Sequence, residues 1–136
     1  MGSRHAGRKL AMQCLYQYQT RLEKDDSFVD TFIQDSKCDQ KTQLWATDLV
    51  KGAISYISDA DKFIEKYAIG WKLERIDYVD LSILRLAFYE FSASQTPDTV
   101  IVNEAIELAK EFSSPESPKF INGILGKYID DKCLPE

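Results

Sequence analysis

One histidine, three cysteines without a pairing pattern and a basic stretch at one end are the residues from which chemistry could be built. With His5 alone, neither a histidine-based triad nor a multi-histidine metal site can be assembled. Cys14, Cys38 and Cys133 are odd in number and show no CxxC spacing, so they read as reduced thiols rather than a disulfide frame or zinc site. No GxGxxG or GxxxxGK[ST] phosphate loop is present. Carboxylates are plentiful, 22 in all, but none clusters beside a nucleophile or cofactor motif. These residues predict a protein that is not an enzyme and that needs no metal, cofactor or small-molecule substrate. The chemistry left to it is recognition.

The recognition signal lies in charge placement. Net charge is −5, yet residues 1–22 hold Arg4, Arg8, Lys9 and Arg21 and no carboxylate. The other 13 of the 17 basic side chains share the rest of the chain with all 22 acidic ones, a balance of −9. Such asymmetry places an anionic ligand at one end. On a helical wheel His5, Lys9 and Tyr16 share one narrow sector, with Gln13 and Thr20 beside it. Arg4 and Arg8 prolong the apolar stripe past its first apolar residue and are expected to project beyond the body. Cations that grip phosphate next to an aromatic that can stack a base are what single-stranded RNA binding requires. A solvated amphipathic face would carry the same residues.

The elements that must hold these side chains are helical throughout. Ala11, Cys14, Leu15, Tyr18 and Leu22 follow the i, i+3, i+4, i+7 rhythm of a buried stripe. A short helix is expected over 28–33 with Ser27 as its cap, and residues 36–41 form a loop whose Asp39 caps the next helix. Apolar spacing resumes with Leu44, Trp45, Leu49, Ala53, Ile54 and Ile57. Ser58 and Asp61 suggest a fresh start by a capping box, and Gly70 an end. Residues 74–93 form the most apolar helix, Pro97 blocks its extension, and 99–112 form another. Ser117 with Pro118 starts the last helix. The best strand candidate, VIVN at 100–103, runs straight into helix formers. The fold class is therefore all-α, with six to seven helices in a single domain spanning 1–136.

The helix at 74–93 is apolar around most of its girth, so it must be covered from more than one side. Asp80 and Glu90 fall inside that apolar sector, where an unpaired charge is expensive. A basic neighbour would neutralise Glu90. Asp80, beside Asp77 at the helix start, suits the macrodipole, or lies bare and meets a basic partner protein.

Four stretches together resemble the NusB family: RKLAMQCLYQ at 8–17, ERIDYVDLSILRLAFYEF at 74–91, VIVNEAIELAKEF at 100–112 and SPKFINGIL at 117–125. The resemblance spans essentially the whole chain. It implies two packed three-helix bundles and a transcription antitermination factor that binds boxA RNA as a heterodimer with the ribosomal protein NusE. Acting with the transcription elongation complex, such a factor promotes read-through of ribosomal RNA operons. On the family's pattern the RNA surface includes Arg4, Arg8 and Lys9, and the start of the last helix at Lys119 and Phe120. Partner contacts fall at Asp80, with Asp77 beside it. His5, Ala6 and Gly7 separate Arg4 from Arg8, so the basic arm is thin and the partner is expected to supply much of the RNA contact. Glu116 places an anion close to that surface.

Two other readings share these features. One is a helical protein-interaction module, and the other is the NusB-like accessory domain of a ribosomal RNA methyltransferase, although no nucleotide-binding motif or catalytic-cysteine context follows in this chain. No apolar run reaches the roughly 20 residues needed to span a bilayer, and no secretory signal is visible. No membrane is expected among the partners, and the expected location is cytoplasmic.

Overall fold

The computed structural model describes residues 2–134, which form seven α-helices and one 3₁₀ turn. In chain order these are α1 (Gly2–Thr20), α2 (Val29–Gln34), α3 (Gln40–Ser55), α4 (Ile57–Tyr67), α5 (Tyr78–Ala93), α6 (Asp98–Phe112) and α7 (Ser117–Lys132), with the 3₁₀ turn at Leu73–Arg75 before α5. Helices α1–α3 pack as one group and α4–α7 as the second, which has one helix more than a three-helix bundle. Helix α5 touches α1, α3, α4, α6 and α7, so the helix with the broadest apolar girth sits where the two groups meet. Ile83, Leu84, Leu86 and Phe88 are buried there, and the core runs outward from them.

Several boundaries are set by capping. Asp39 accepts a hydrogen bond from the Thr42 N–H at 2.8 Å and starts α3 as expected. Asp77 does the same for α5, taking the Val79 N–H at 2.7 Å. The α3–α4 break comes at Tyr56, ahead of the Ser58 box, and no side chain caps it. Nor does Ser27 cap α2: its hydroxyl and N–H both donate to Asp25. Leu22 lies beyond the end of α1 and is fully exposed, so the buried stripe stops short of it. After α4 the chain turns at Gly70, whose φ of +85° lies in the left-handed region that favours glycine.

Polar side chains of α5 are engaged as well. Ser82 is buried, receives a hydrogen bond from the Gln19 amide at 2.7 Å and donates to the Tyr78 carbonyl at 2.7 Å. Arg85 donates to both Asp61 oxygens at 2.8 and 2.9 Å and to Gln19 Oε1 at 2.7 Å. This chain of hydrogen bonds ties α1, α4 and α5 together. Among the described residues, no buried side-chain nitrogen or oxygen lacks a partner.

Candidate nucleic-acid interface

The basic end of α1 does not stand clear of the body. Arg8, expected to project, is only 4% exposed. Its Nε and Nη2 donate to the two Glu90 oxygens, each at 2.8 Å, and Nη1 lies 3.6 Å from Glu104. Desolvation by burial acts to lower the Arg8 pKa, but the bonds and charge of Glu90, helped by Glu104, outweigh it and hold the guanidinium charged. This fork is the basic neighbour that Glu90 requires, and it removes Arg8 from the accessible surface. The reason is geometric: position 8 continues the stripe of Ala11 and Leu15, and α5 provides a carboxylate where that stripe meets the core.

Acids of α6 also meet His5 and Lys9 of the same helix. His5 Nδ1 lies 3.0 Å from Glu104, and Lys9 Nζ lies 2.8 Å from Glu111 and 5.4 Å from the centre of the Phe112 ring. Both Lys9 and Glu111 remain about 41% exposed, so this pair is open to competition from a phosphate. Arg4 is exposed and lies over the Trp45 indole at 4.8 Å. There it lines a groove of about 440 Å³ with Asp48, Tyr89 and Thr96, apart from the remaining candidates.

One turn further along α1, Gln13 and Tyr16 line a groove of about 460 Å³ with Met12, Phe32, Val79 and Phe112. Tyr16 is 36% exposed, so its ring has an accessible face. A second groove, of about 240 Å³, opens at the start of α7, where Phe120 is half-buried and Lys119 is exposed and ion-paired with no described residue. Both grooves are walled by the first turn of α5, Val79 in one and Asp77 and Asp80 in the other. One also meets the last residue of α6, Phe112, and the other the α6–α7 connection just beyond it, at Ser114. The two grooves thus flank the same segments: Gln13 and Tyr16 line one, with Lys9 over its Phe112, and Phe120 lines the other, with Lys119 beside it in sequence.

Asp80 is a correction. It is 7% exposed rather than bare, and the hydroxyls of Ser113 and Ser117 donate to its two oxygens at 2.6 and 2.9 Å. Burial raises its pKa above the ordinary carboxylate value, the two serine bonds oppose that rise, and the nearby Asp77 charge adds to it. Asp80 thus fastens the α6–α7 connection to α5. This explains why Ser117 does not cap α7: its hydroxyl is engaged elsewhere. Asp77 stays exposed but serves as the α5 cap. Both acids, expected on a partner surface, line the same cleft as Phe120, expected on the RNA surface.

The residue that sequence reasoning missed is Trp71. It is 54% exposed and meets Phe120 edge to face, with ring centres 5.4 Å apart and planes at 65°. The available signal was local: an aromatic directly after a turn glycine, followed by Lys72 and Arg75. Among the described residues, no three His, Cys, Asp or Glu side chains group as a metal site, and no helix is long and apolar enough to cross a membrane.

Comparison with known proteins bears on the family and the fold. The model of the NusB family matches residues 5–130. The transcription antitermination protein NusB of Acetivibrio thermocellus is 40% identical over 132 residues, covering 96% of this chain and 91% of that protein. The crystal structure of T. maritima NusB superposes with a TM-score of 0.81 at 32% identity, covering 94% of this chain and 91% of the other. A NusB chain from a complex of antitermination factors NusB and NusE with double-stranded RNA superposes with a TM-score of 0.83 at 25% identity, covering 96% and 98%.

Proposed function

The chain belongs to the NusB family of transcription antitermination proteins, and we propose that it binds boxA-type single-stranded RNA together with NusE to promote read-through of ribosomal RNA operons. The observation that carries this reading is the pair of grooves that flank the start of α5 and the end of α6, which form the proposed RNA-binding strip. Each groove couples a cation with aromatics, Lys9 with Phe112 and Tyr16 at the first and Lys119 with Phe120 at the second. Lys9 and Lys119 supply charge to phosphates, while Tyr16 and Phe120 offer faces to bases. His5 flanks the strip from its bond with Glu104. Arg4, over Trp45, extends the cationic edge toward a different groove. Arg8 holds α1 to α5 beneath the strip.

Part of the cationic charge is already balanced within the chain, by Glu111 on Lys9 and by Glu90 and Glu104 on Arg8. RNA affinity of the protein alone is therefore modest, and NusE contributes the rest. The neighbouring family complex, which contains NusE and RNA, supports both partners. Asp77 remains an exposed acid able to face a basic partner surface, and the whole of 1–136 acts as one helical RNA-binding domain within the transcription elongation complex.

Fluorescence anisotropy with boxA RNA and a scrambled control, with and without purified NusE, tests the proposal. Binding that prefers boxA and tightens with NusE supports it. NusE binding without RNA preference leaves a protein-interaction module instead.

A further inference from the structure

Trp71 is placed with more care than a loop aromatic needs. Gly70 turns the chain through a left-handed φ of +85°, and the Trp71 N–H then donates to the Ala68 carbonyl at 3.0 Å. The indole rests edge to face on Phe120, yet more than half of it stays exposed. A rigid aromatic with one edge packed and one face open is a platform for stacking. The cleft beside it, about 240 Å³, is of the order that takes one flat ring, since about 150 Å³ already holds benzene.

The polar lining of the cleft decides what that ring carries. Asp77 uses its Oδ1 to cap α5, which leaves Oδ2 as an acceptor, and Glu116 lies exposed on the same rim. Ser117 and Asp80 close the floor on each other. These acids repel a phosphate from the cleft and offer acceptors to a donor. Arg75 on the rim, with Lys119 next to Phe120, supplies cations for the phosphates on either side. Uracil presents carbonyls where cytosine and adenine present an exocyclic amine.

We propose that the Trp71 cleft holds one nucleobase of the bound RNA, stacked on the open face of Trp71, with its exocyclic amine toward Asp77 and Glu116. This rests on the RNA-binding reading above and adds a stacking residue and a base preference to it. Phe120 of the proposed strip lines the cleft and Lys119 precedes it in sequence, which favours RNA over a partner side chain as its occupant.

The test uses the full chain with NusE and a boxA RNA in which one nucleotide at a time is made abasic. Trp71→Leu keeps an apolar side chain on Phe120 but removes the stacking face, and Trp71→Phe restores a smaller face. Trp71→Leu is expected to weaken RNA binding roughly tenfold, the weight of one stacked base, with the salt dependence unchanged. Trp71→Phe should recover most of that loss. One abasic position should weaken the wild-type protein about equally and have no further effect on Trp71→Leu. The base native to that position should be cytosine, adenine or guanine.

Unchanged RNA affinity in Trp71→Leu overturns the proposal, as does an abasic series in which every loss simply adds to that of the variant. Uracil at the coupled position overturns the amine assignment. If Trp71→Leu loses NusE while the chain alone binds RNA as before, the cleft belongs to the protein partner and the proposal fails. A wild-type protein that does not distinguish boxA from scrambled RNA refutes the parent reading itself, and is recognised before any variant is made.

Discussion

Replacing Arg8 by alanine separates two roles for the basic end. The guanidinium forms two 2.8 Å bonds to Glu90, with the two side chains 4% and 3% exposed, and it lies 5.1 Å over the Trp45 ring. Removing one member of such a buried pair leaves the other charge unpaired, at a cost of about 3–5 kcal/mol. An unfolding entropy of about 2.1 cal/mol/K per residue over 136 residues gives about 0.29 kcal/mol/K. Arg8→Ala is therefore expected to lower Tm by about 10–17 °C in a calorimetric scan. The double variant Arg8→Met with Glu90→Leu fills the site with apolar groups and should recover most of the loss, because hydrophobic replacement of a buried pair is often neutral or better. RNA affinity measured well below Tm should change little. The reasoning is refuted if Arg8→Ala melts within about 2 °C of wild type while the magnitude of its salt slope for RNA falls by about 0.7, the signature of one lost phosphate contact on a single strand.

Lys9→Ala and Lys119→Ala should each weaken RNA binding and reduce the salt slope by about 0.7, the weight of one phosphate contact on a single strand. Thermal stability should stay within about 1 kcal/mol, because Lys9 is in a half-exposed pair and Lys119 in none; a large drop in Tm would place them in the framework instead. Asp80→Lys buries a cation in place of the acceptor for Ser113 and Ser117 and should cost several kcal/mol, whereas Asp80→Asn should fold. Because the folded-state pKa of Asp80 is raised, the native state holds its proton more tightly than the unfolded chain. Stability of wild type relative to Asp80→Asn should thus be greatest in acid and decline as pH rises from the ordinary carboxylate value through the raised one; urea titrations at several pH values would expose the opposite slope. Burial pushes the Cys14 thiol up to about 12, so a thiol reagent at neutral pH should label exposed Cys133 in the native protein and reach Cys14 only after denaturation.

The helices were legible because their signals are local. Period-3.6 spacing placed α5 at the centre, and Asp39 and Pro97 marked boundaries from their own chemistry. Where a polar residue had a distant competitor for its hydrogen bond, local reading failed. Ser117 reads as a cap from its neighbours, yet its hydroxyl reaches Asp80, 37 positions away. Arg8 reads as a free cation because Glu90 lies 82 positions on. The site followed the same division. Lys9, Tyr16, Lys119 and Phe120 each carry recognisable chemistry, but that their grooves flank the same segments depends on how α1 and α7 each pack against α5. Trp71 has no helical periodicity to mark it, and only its contact with Phe120 draws it into the site.

If RNA binds at the basic end as proposed, that end must escape neutralisation by the chain's own carboxylates, and here the neutralisation is partial. Lys9 is the sensitive point. Its 2.8 Å pair with Glu111 is about 41% exposed on both sides, so a phosphate reaching Lys9 competes with Glu111 for the same ammonium. Exposed pairs are worth about 0.2–1 kcal/mol. Removing the competitor in Glu111→Gln should therefore tighten RNA binding by up to about fivefold. The repulsion between the carboxylate and the RNA backbone is lost as well, so the gain should shrink as salt screens it. Stability should hardly move, because the pair is half in water. A weaker complex after Glu111→Gln would mean that Glu111 positions Lys9 for its phosphate, and that the pair is part of the binding surface rather than a competitor to it.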